Sequence, residues 1–386
     1  MELAKSKDLC CGCSACESIC PSGGDCLSLK YDKEGFLYPI IDEEKCISCH
    51  ACERVCFYQT GKEEVKDRLA SLQSYAVKAK EETLRFVSQS GGAFGTVANH
   101  VIHEGGIVYG CVFDDVGVAR HVRATSFEDL ANIHGSKYVQ SDLRKIFLQV
   151  KQDLQTAKWV LFSGTPCQVM GLRKFLHRTH DNLLTIDIIC YGVPSPLVWR
   201  DFLAYHSKKS YGTLKKIEHR AKQYGWHKCL SKLTYEHKTI VTDGWNFFWG
   251  SALAIRPSCY YCRFTNLDRP GDLTVGDCWG AEKKMPQFDD NHGISMVLLN
   301  THKGLKIYQS IQDEFDARTI DIEEYKQPRL RIPVEMPSNR NLFWRDYADL
   351  TTSAFIKKYA RYSFKQRMRR FLAQITLLRN FYKRFF

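Results

Sequence analysis

Two stretches of this 386-residue chain repeat one spacing of cysteines, and that spacing restricts the fold more than any other feature. "CCGCSACESIC" sets Cys10, Cys13 and Cys16 two residues apart, with Cys20 beyond a gap of three and Pro21 after it. "CISCHACERVC" does the same with Cys46, Cys49, Cys52 and Cys56, followed by Phe57. Two-residue gaps let successive thiolates converge on one iron–sulfur cubane, while the fourth, beyond the longer gap, reaches the neighbouring cluster. The expected sets are therefore Cys10, Cys13, Cys16 and Cys56 on one 4Fe-4S cluster, and Cys46, Cys49, Cys52 and Cys20 on a second.

This pattern resembles the bacterial two-cluster ferredoxin module. Tetrahedral zinc also uses Cys-x2-Cys pairs, but two pairs suffice for one zinc and give no reason for a three-plus-one spacing repeated twice. Cys11 and Cys26 fall outside the repeat and read as bystanders. Although the chain holds 17 cysteines, it is too large to need covalent staples, and no apolar signal segment follows "MELAKSKDLC". The expected compartment is a reducing cytoplasm. No run approaches the roughly 18 apolar residues of a membrane span.

The net charge of +12 is local. Residues 351–386 carry ten Lys or Arg and no Asp or Glu, so the rest is close to neutral and lacks the basic face of a nucleic-acid binder. Within that tail, Phe364, Met368, Phe371, Leu372, Ile375, Leu378 and Tyr382 recur at helical spacing opposite basic residues. Such a basic amphipathic helix suits either peripheral contact with an anionic membrane at its inner face or docking on protein.

The organisation reads as a two-cluster head over 1–60, a polar linker over 61–73, and a mixed α/β body. The body divides into 74–155 and 156–320, and an irregular segment with the basic tail covers 321–386. Strands are expected at "SYAVKA", "GIVYGCVF", "KWVLFSG" and "LLTIDIIC", and helices at "GAFGTVANHVIH", "DLRKIFLQVKQDL" and "GLRKFL". "KWVLFSG", "GLRKFL" and "LLTIDIIC" together suggest a βαβ unit. The pattern assigns no elements to 200–250 or beyond about 320.

Cys167 follows one buried strand and Cys190 the next, which places both at the strand ends where open α/β sheets bind ligands. Cys259 and Cys262 form another two-residue pair. Four thiols from three segments could hold a third cluster or a zinc ion, while a lone cysteine is more often a small buried hydrophobe. Ser90, Gly91 and Gly92 open a helix whose free N–H groups suit a phosphate, though a flexible turn explains them as well. Ser136, Lys137 and Tyr138 could contact a nucleotide, and Ser141 could equally cap a helix. There is no Walker A sequence and no GxGxxG.

Together "QSGGAFGT", "GSKYVQSDL", "SGTPCQVMGLR", "DIICYGVPS" and "CYYCRFTNLDRPGDLTVGDCWG" resemble the beta-subunit family of coenzyme F420 hydrogenase and dehydrogenase, to which plant hydroxymethyl chlorophyll reductase is related. The resemblance runs over about 74–300. It implies an FAD flavoprotein oxidoreductase with a 4Fe-4S cluster on Cys167, Cys190, Cys259 and Cys262. By the same resemblance Ser90, Gly91, Gly92, Thr96, Gly135, Ser136, Lys137, Tyr138 and Ser141 become flavin contacts. The expected partners are ferredoxin or another redox protein and an organic substrate or deazaflavin coenzyme. The alternative is an electron-transfer subunit of a larger redox complex without a substrate site of its own. No general acid or base is apparent among 13 scattered histidines.

Overall fold

The computed structural model describes residues 7–362 except 63 and 326. The basic stretch from Phe364 to Tyr382 lies outside the described residues. Among those described, no helix is long and apolar enough to cross a membrane.

In the head, each cysteine run leads into a short helix, Ala15–Ile19 and Ala51–Arg54. Between the runs, β1 (Leu27–Tyr31) and β2 (Leu37–Ile41) form an antiparallel ribbon with Leu27 opposite Ile41. Asp32 shapes its turn by accepting from the Glu34 and Phe36 N–H groups at 3.0 and 2.9 Å. Gly35, at φ +80°, completes that turn, and a Cβ there would lie 2.3 Å from Leu197 Cβ on a body helix. The ribbon thus ends pressed against the body.

The body is mixed α/β. Strands β3 (Arg68–Ala79), β4 (Ile107–Phe113), β5 (Ala119–Ala124), β6 (Val160–Gly164) and β7 (Leu183–Ile188) join β11, β12 and β13 in one sheet. The order is β13-β3-β12-β11-β7-β6-β4-β5, with β11 (Leu273–Asp277), β12 (Ser295–Thr301) and β13 (Phe315–Thr319). Neighbours among β4, β6, β7 and β11 pair in parallel, and the remaining pairs are antiparallel. The helix Pro166–Leu176 links β6 to β7, giving the expected βαβ unit. Parallel neighbours need such crossovers, which bury both faces and explain the continuous apolar run of "WVLF".

The two faces carry different loads. One packs Val97, Val101, Leu130, Ile307 and Ile311 against the sheet. The other packs Phe147, Val150, Leu172 and Phe175, and this second core also takes in Ala15 and Val55 from the head. The head is therefore part of the body's hydrophobic core.

Residues 200–250, left without elements by their pattern, form the end of the helix Pro196–His206, a small antiparallel sheet and the helix Gly244–Gly250. The small sheet comprises β8 (Leu214–Glu218), β9 (Ser231–Tyr235) and β10 (Thr239–Thr242). Their aromatic residues meet those of two helices beyond residue 320, Arg340–Asp349 and Thr352–Tyr359. Trp199 and Trp245 lie edge to face at 4.6 Å, and Phe248 contacts Phe343 and Phe355. Aromatics that pack across such sequence distances leave no local period to read.

A fully buried ion pair fixes the loop that carries Cys259 and Cys262. Arg269 and Asp187 are both inaccessible, and Arg269 Nε donates to Asp187 Oδ1 at 3.0 Å. Arg269 also donates to the Phe264 and Ile188 carbonyls, while Asp187 Oδ2 accepts from Gly271 N–H at 2.8 Å. Arg269→Met leaves the Asp187 carboxylate buried without its cation, so it is expected to lower stability by about 3–5 kcal/mol. This should appear as a fall in the anaerobic unfolding midpoint; an unchanged midpoint contradicts the assigned role.

Candidate iron–sulfur and cofactor site

The eight repeat cysteines of the head lie in two neighbourhoods, one inner and one outer. Cys16 is pushed well above the ordinary thiol range by burial, then by the neighbouring charges of Cys13, Cys10 and Cys56. Burial pushes Cys56 up to about 11, with Cys13 and Cys10 adding to it. The inner set is thus Cys10, Cys13, Cys16 and Cys56. Cys20, Cys46, Cys49 and Cys52 line one small cavity farther out, beside Ile47, which is 66% exposed. Cys26 lines the same cavity, so a residue outside the repeat belongs to the wall of the outer site.

In the body, four thiols from three segments face one another. Cys167 sits in the first turn of the helix Pro166–Leu176, where Thr165 and Gln168 form a capping box and Pro166 starts the helix. Its Sγ lies 3.1 Å from Thr165 Oγ1. Cys190 follows β7, Cys259 lies within the 3-10 turn Pro257–Tyr261, and Cys262 closes that turn. Burial raises Cys190, and the charges of Cys259, Cys167 and Cys262 raise it further. Burial and the Cys262 charge push Cys259 up to about 12. Among the described residues no group of three or more His, Cys, Asp or Glu side chains could hold a single metal ion. In the inner and body sets the thiols instead interact at the longer range over which charges act.

Cys11 lies between the inner head set and the body set. The thiol contacts both Cys13 and Cys167, which hold its pKa well above the usual value. Around it Phe57, Tyr58, Met170 and Phe264 exclude water, with Phe57 and Phe264 edge to face at 5.5 Å. Cys13 approaches the helix Pro166–Leu176 at Gly171, where a Cβ would stand 2.9 Å from Cys13 Sγ. Only glycine leaves that space open.

At the carboxyl ends of the parallel strands lies a cleft of about 1460 Å³ including its open mouth. This is where open α/β sheets take ligands. Cys190 lines it and belongs to the body thiol set. Tyr138, Trp249 and Tyr191 contribute a run of ring faces, with centroids 4.9 and 4.8 Å apart. Ser88 Oγ, His121 Nδ1 and His134 Nδ1 are buried at its wall without a hydrogen-bond partner among the described residues. Burial holds His121 near pKa 4, so it is neutral at pH 7, and Nε2 lies 3.0 Å from the Ser163 carbonyl. That contact assigns the proton to Nε2 and leaves Nδ1 as an open acceptor.

Of the residues the resemblance marks as flavin contacts, Ser90, Gly135, Ser136, Lys137, Tyr138 and Ser141 line this cleft. Gly91, Gly92 and Thr96 do not. A Cβ on Gly91 would stand 2.0 Å from the Val77 carbonyl oxygen, so this glycine serves close packing on the sheet. Thr96 donates back to Gly92 O within its helix. The Lys137 ammonium is committed to the carbonyls of Asn132, Ile133, His134 and Gly135 at 2.9–3.1 Å. Those groups end the helix Phe127–Ile133, and burial lowers Lys137 to about 8. Ser141 accepts from Gln168 Nε2 at 2.9 Å, tying the cleft wall to the capping box beside Cys167.

Residues 157–325 match the family model that describes the carboxy-terminal part of the coenzyme F420 hydrogenase/dehydrogenase beta chain, and residues 39–59 match the 4Fe-4S binding domain. Over residues 157–325 the chain is similar to this beta-subunit family. It is 24% identical over 202 residues to one F(420)H(2) dehydrogenase subunit from Methanosarcina mazei, covering 47% of this chain and 53% of that protein. The chain thus spans about half the length of this curated relative. It also resembles a chain of the F420-reducing [NiFe] hydrogenase complex from Methanosarcina barkeri, at 15% identity and a TM-score of 0.45, over 77% of this chain and 93% of that one.

The close approach at Gly171 yields a test of the inner set. Gly171→Ala forces Cys13 away, so anaerobically purified protein should lose iron and the signal of one head cluster. Gly24→Ala, with nothing within 4 Å of the added Cβ, should keep full iron content. Equal iron content in both variants refutes the assignment.

Proposed function

We propose that the chain is an iron–sulfur flavoprotein that carries single electrons from a redox protein such as ferredoxin to a flavin, which exchanges a hydride with an organic substrate. Cys190 carries this reading, because the residue is shared by the body thiol set and the cleft. Cys20, Cys46, Cys49 and Cys52 would hold the outer cluster, Cys10, Cys13, Cys16 and Cys56 the inner one, and Cys167, Cys190, Cys259 and Cys262 a third. The residues fit cubanes in that the inner and body sets are each four thiols whose charges interact, and the outer four line one cavity. A bound FAD would supply the conversion between two-electron hydride chemistry and one-electron transfer.

The protein's own groups have definable tasks around that cofactor. Tyr138, Trp249 and Tyr191 offer faces on which a planar ring can stack. His121 Nδ1 offers an acceptor to a ring N–H, and Ser88 Oγ a partner for a polar edge. Phe57, Tyr58 and Phe264 keep water from the gap between the inner and body sets. Ile47 and the shallow outer cavity present the outer set to a docking partner. The substrate is proposed as an organic hydride donor or acceptor, of which a deazaflavin coenzyme is one kind, exchanging at the cleft mouth beside Trp279 and Arg329.

Protein prepared without oxygen should contain iron, acid-labile sulfide and flavin. Cys190→Ser should remove about one third of the iron, as expected when one of three cubanes is lost. In that variant reduced ferredoxin should bleach the head clusters while the flavin stays oxidised. Flavin reduced at the wild-type rate in Cys190→Ser would refute the path, and iron-replete protein without flavin would refute the flavoprotein reading.

A further inference from the structure

Among the described residues, Arg256 is the one through which the body places a charge directly on the head's inner thiol set. Its side chain is wholly buried, at 0% exposure, although it belongs to the loop before Cys259. Nε donates to the Cys10 carbonyl at 2.6 Å, Nη1 to Gln140 Oε1 at 3.1 Å, and Nη2 to the Leu37 carbonyl at 2.8 Å. Nη2 also lies 3.6 Å from Cys10 Sγ. The guanidinium stacks over Tyr38 at 4.1 Å. No carboxylate of the described residues is within ion-pair distance of it, in contrast to the other fully buried arginine, Arg269, which pairs with Asp187.

A buried cation is costly unless an anion compensates it. The neutral carbonyls satisfy the donors of Arg256 without balancing its charge. The Cys10 sulfur, 3.6 Å from Nη2, is the group beside it that would carry a compensating negative charge as a cluster ligand, and the guanidinium also belongs to the segment that leads directly into the turn with Cys259. It therefore stands between the inner head set and the body set, away from the outer cavity lined by Cys20, Cys46, Cys49 and Cys52. The contact is built from both sides. Gly12, at φ +68°, carries the turn after Cys10, and a Cβ there would lie 2.7 Å from Gln140 Nε2 and 3.0 Å from Arg256 Nη1.

We propose that Arg256 is the counter-charge of the inner cluster and raises its reduction potential above that of the outer cluster, so that an electron delivered at the surface is drawn inward. A cluster on four thiolates is a net anion, and both a nearby cation and a hydrogen bond to a ligand sulfur favour its reduced, more negative state. In the step concerned, a cluster held by Cys20, Cys46, Cys49 and Cys52 would be oxidised by one electron and one held by Cys10, Cys13, Cys16 and Cys56 reduced by it, with a reduced ferredoxin-type protein as the source. Arg256 is a positioning and electrostatic residue and does not itself react. The inference rests on the cluster assignment proposed above and adds to it the ordering of potentials.

The test uses the full chain, reconstituted anaerobically with iron and sulfide and titrated with dithionite and mediators while reduced clusters are followed by electron paramagnetic resonance. In Arg256→Gln one head signal should move to lower potential by at least a tenfold change in electron affinity, about 59 mV for one electron. The body signal should move less and the other head signal not at all. Arg256→Lys keeps the charge and should recover most of the shift. Should Arg256→Gln lose iron, Gln140→Glu gives the reading, since it retains the arginine and sets a carboxylate against Nη1, moving the same signal down. Unmoved potentials in an iron-replete variant, or an equal shift of all signals, overturn the proposal. Wild-type protein without iron would instead refute the cluster assignment beneath it.

Discussion

The insertion of the head's two cysteine runs into the apolar core of the body is the contact on which the rest of the structure depends. Ala15 and Val55 are as buried as the helix residues they meet, Phe147 and Leu172. Gly171 lets the Cys13 sulfur lie against a body helix, and Gly12 lets the loop turn around Arg256. Burying these side chains favours docking by about 25 cal/mol per Å² of apolar surface removed from water. The same burial deprives the inner thiols of solvent and favours the protonated forms of Cys10, Cys16 and Cys56, whereas the contact with Cys11 lowers Cys13.

The parallel part of the sheet supplies the second half of the arrangement. Because β6, β7 and β11 run in one direction, the segments that leave their ends emerge at one edge. The first delivers Cys167 on a capped helix, the second Cys190, and the third Asp277 and Trp279 at the cleft. The Arg269–Asp187 pair then draws in the loop with Cys259 and Cys262. A thiol set and an aromatic-lined cleft share an edge for a topological reason, and the family resemblance follows the same segments.

Much of this was legible in the sequence because its signals are local. The repeated spacing placed eight cysteines in two sets, and continuous apolar strands flanking a helix announced parallel neighbours. Cys11 was less legible. Its neighbours in sequence mark it only as a cysteine out of step, while its position between Cys13 and Cys167 is created by docking. Arg256 likewise appears as one basic residue before a proline, and burial alone distinguishes it. The aromatic region around Trp199 and Trp245 escaped assignment because its partners, Phe343 and Phe355, are about a hundred or more residues away. Gly91 shows the converse, since a glycine pair before a helix suggests an anion site but here admits a neighbouring strand.

At the tip of the β1–β2 ribbon, Glu34 receives both terminal nitrogens of Arg340, and its carbonyl accepts from Ser195 Oγ. Arg340 in turn reaches Tyr260 at 3.1 Å, two residues from Cys262. One clasp thus joins the amino-terminal ribbon, the middle of the chain and a late helix. A small domain on a flexible arm can swing between positions, but this one is bolted down at its far end. The ribbon cannot lift from the body unless this clasp is undone.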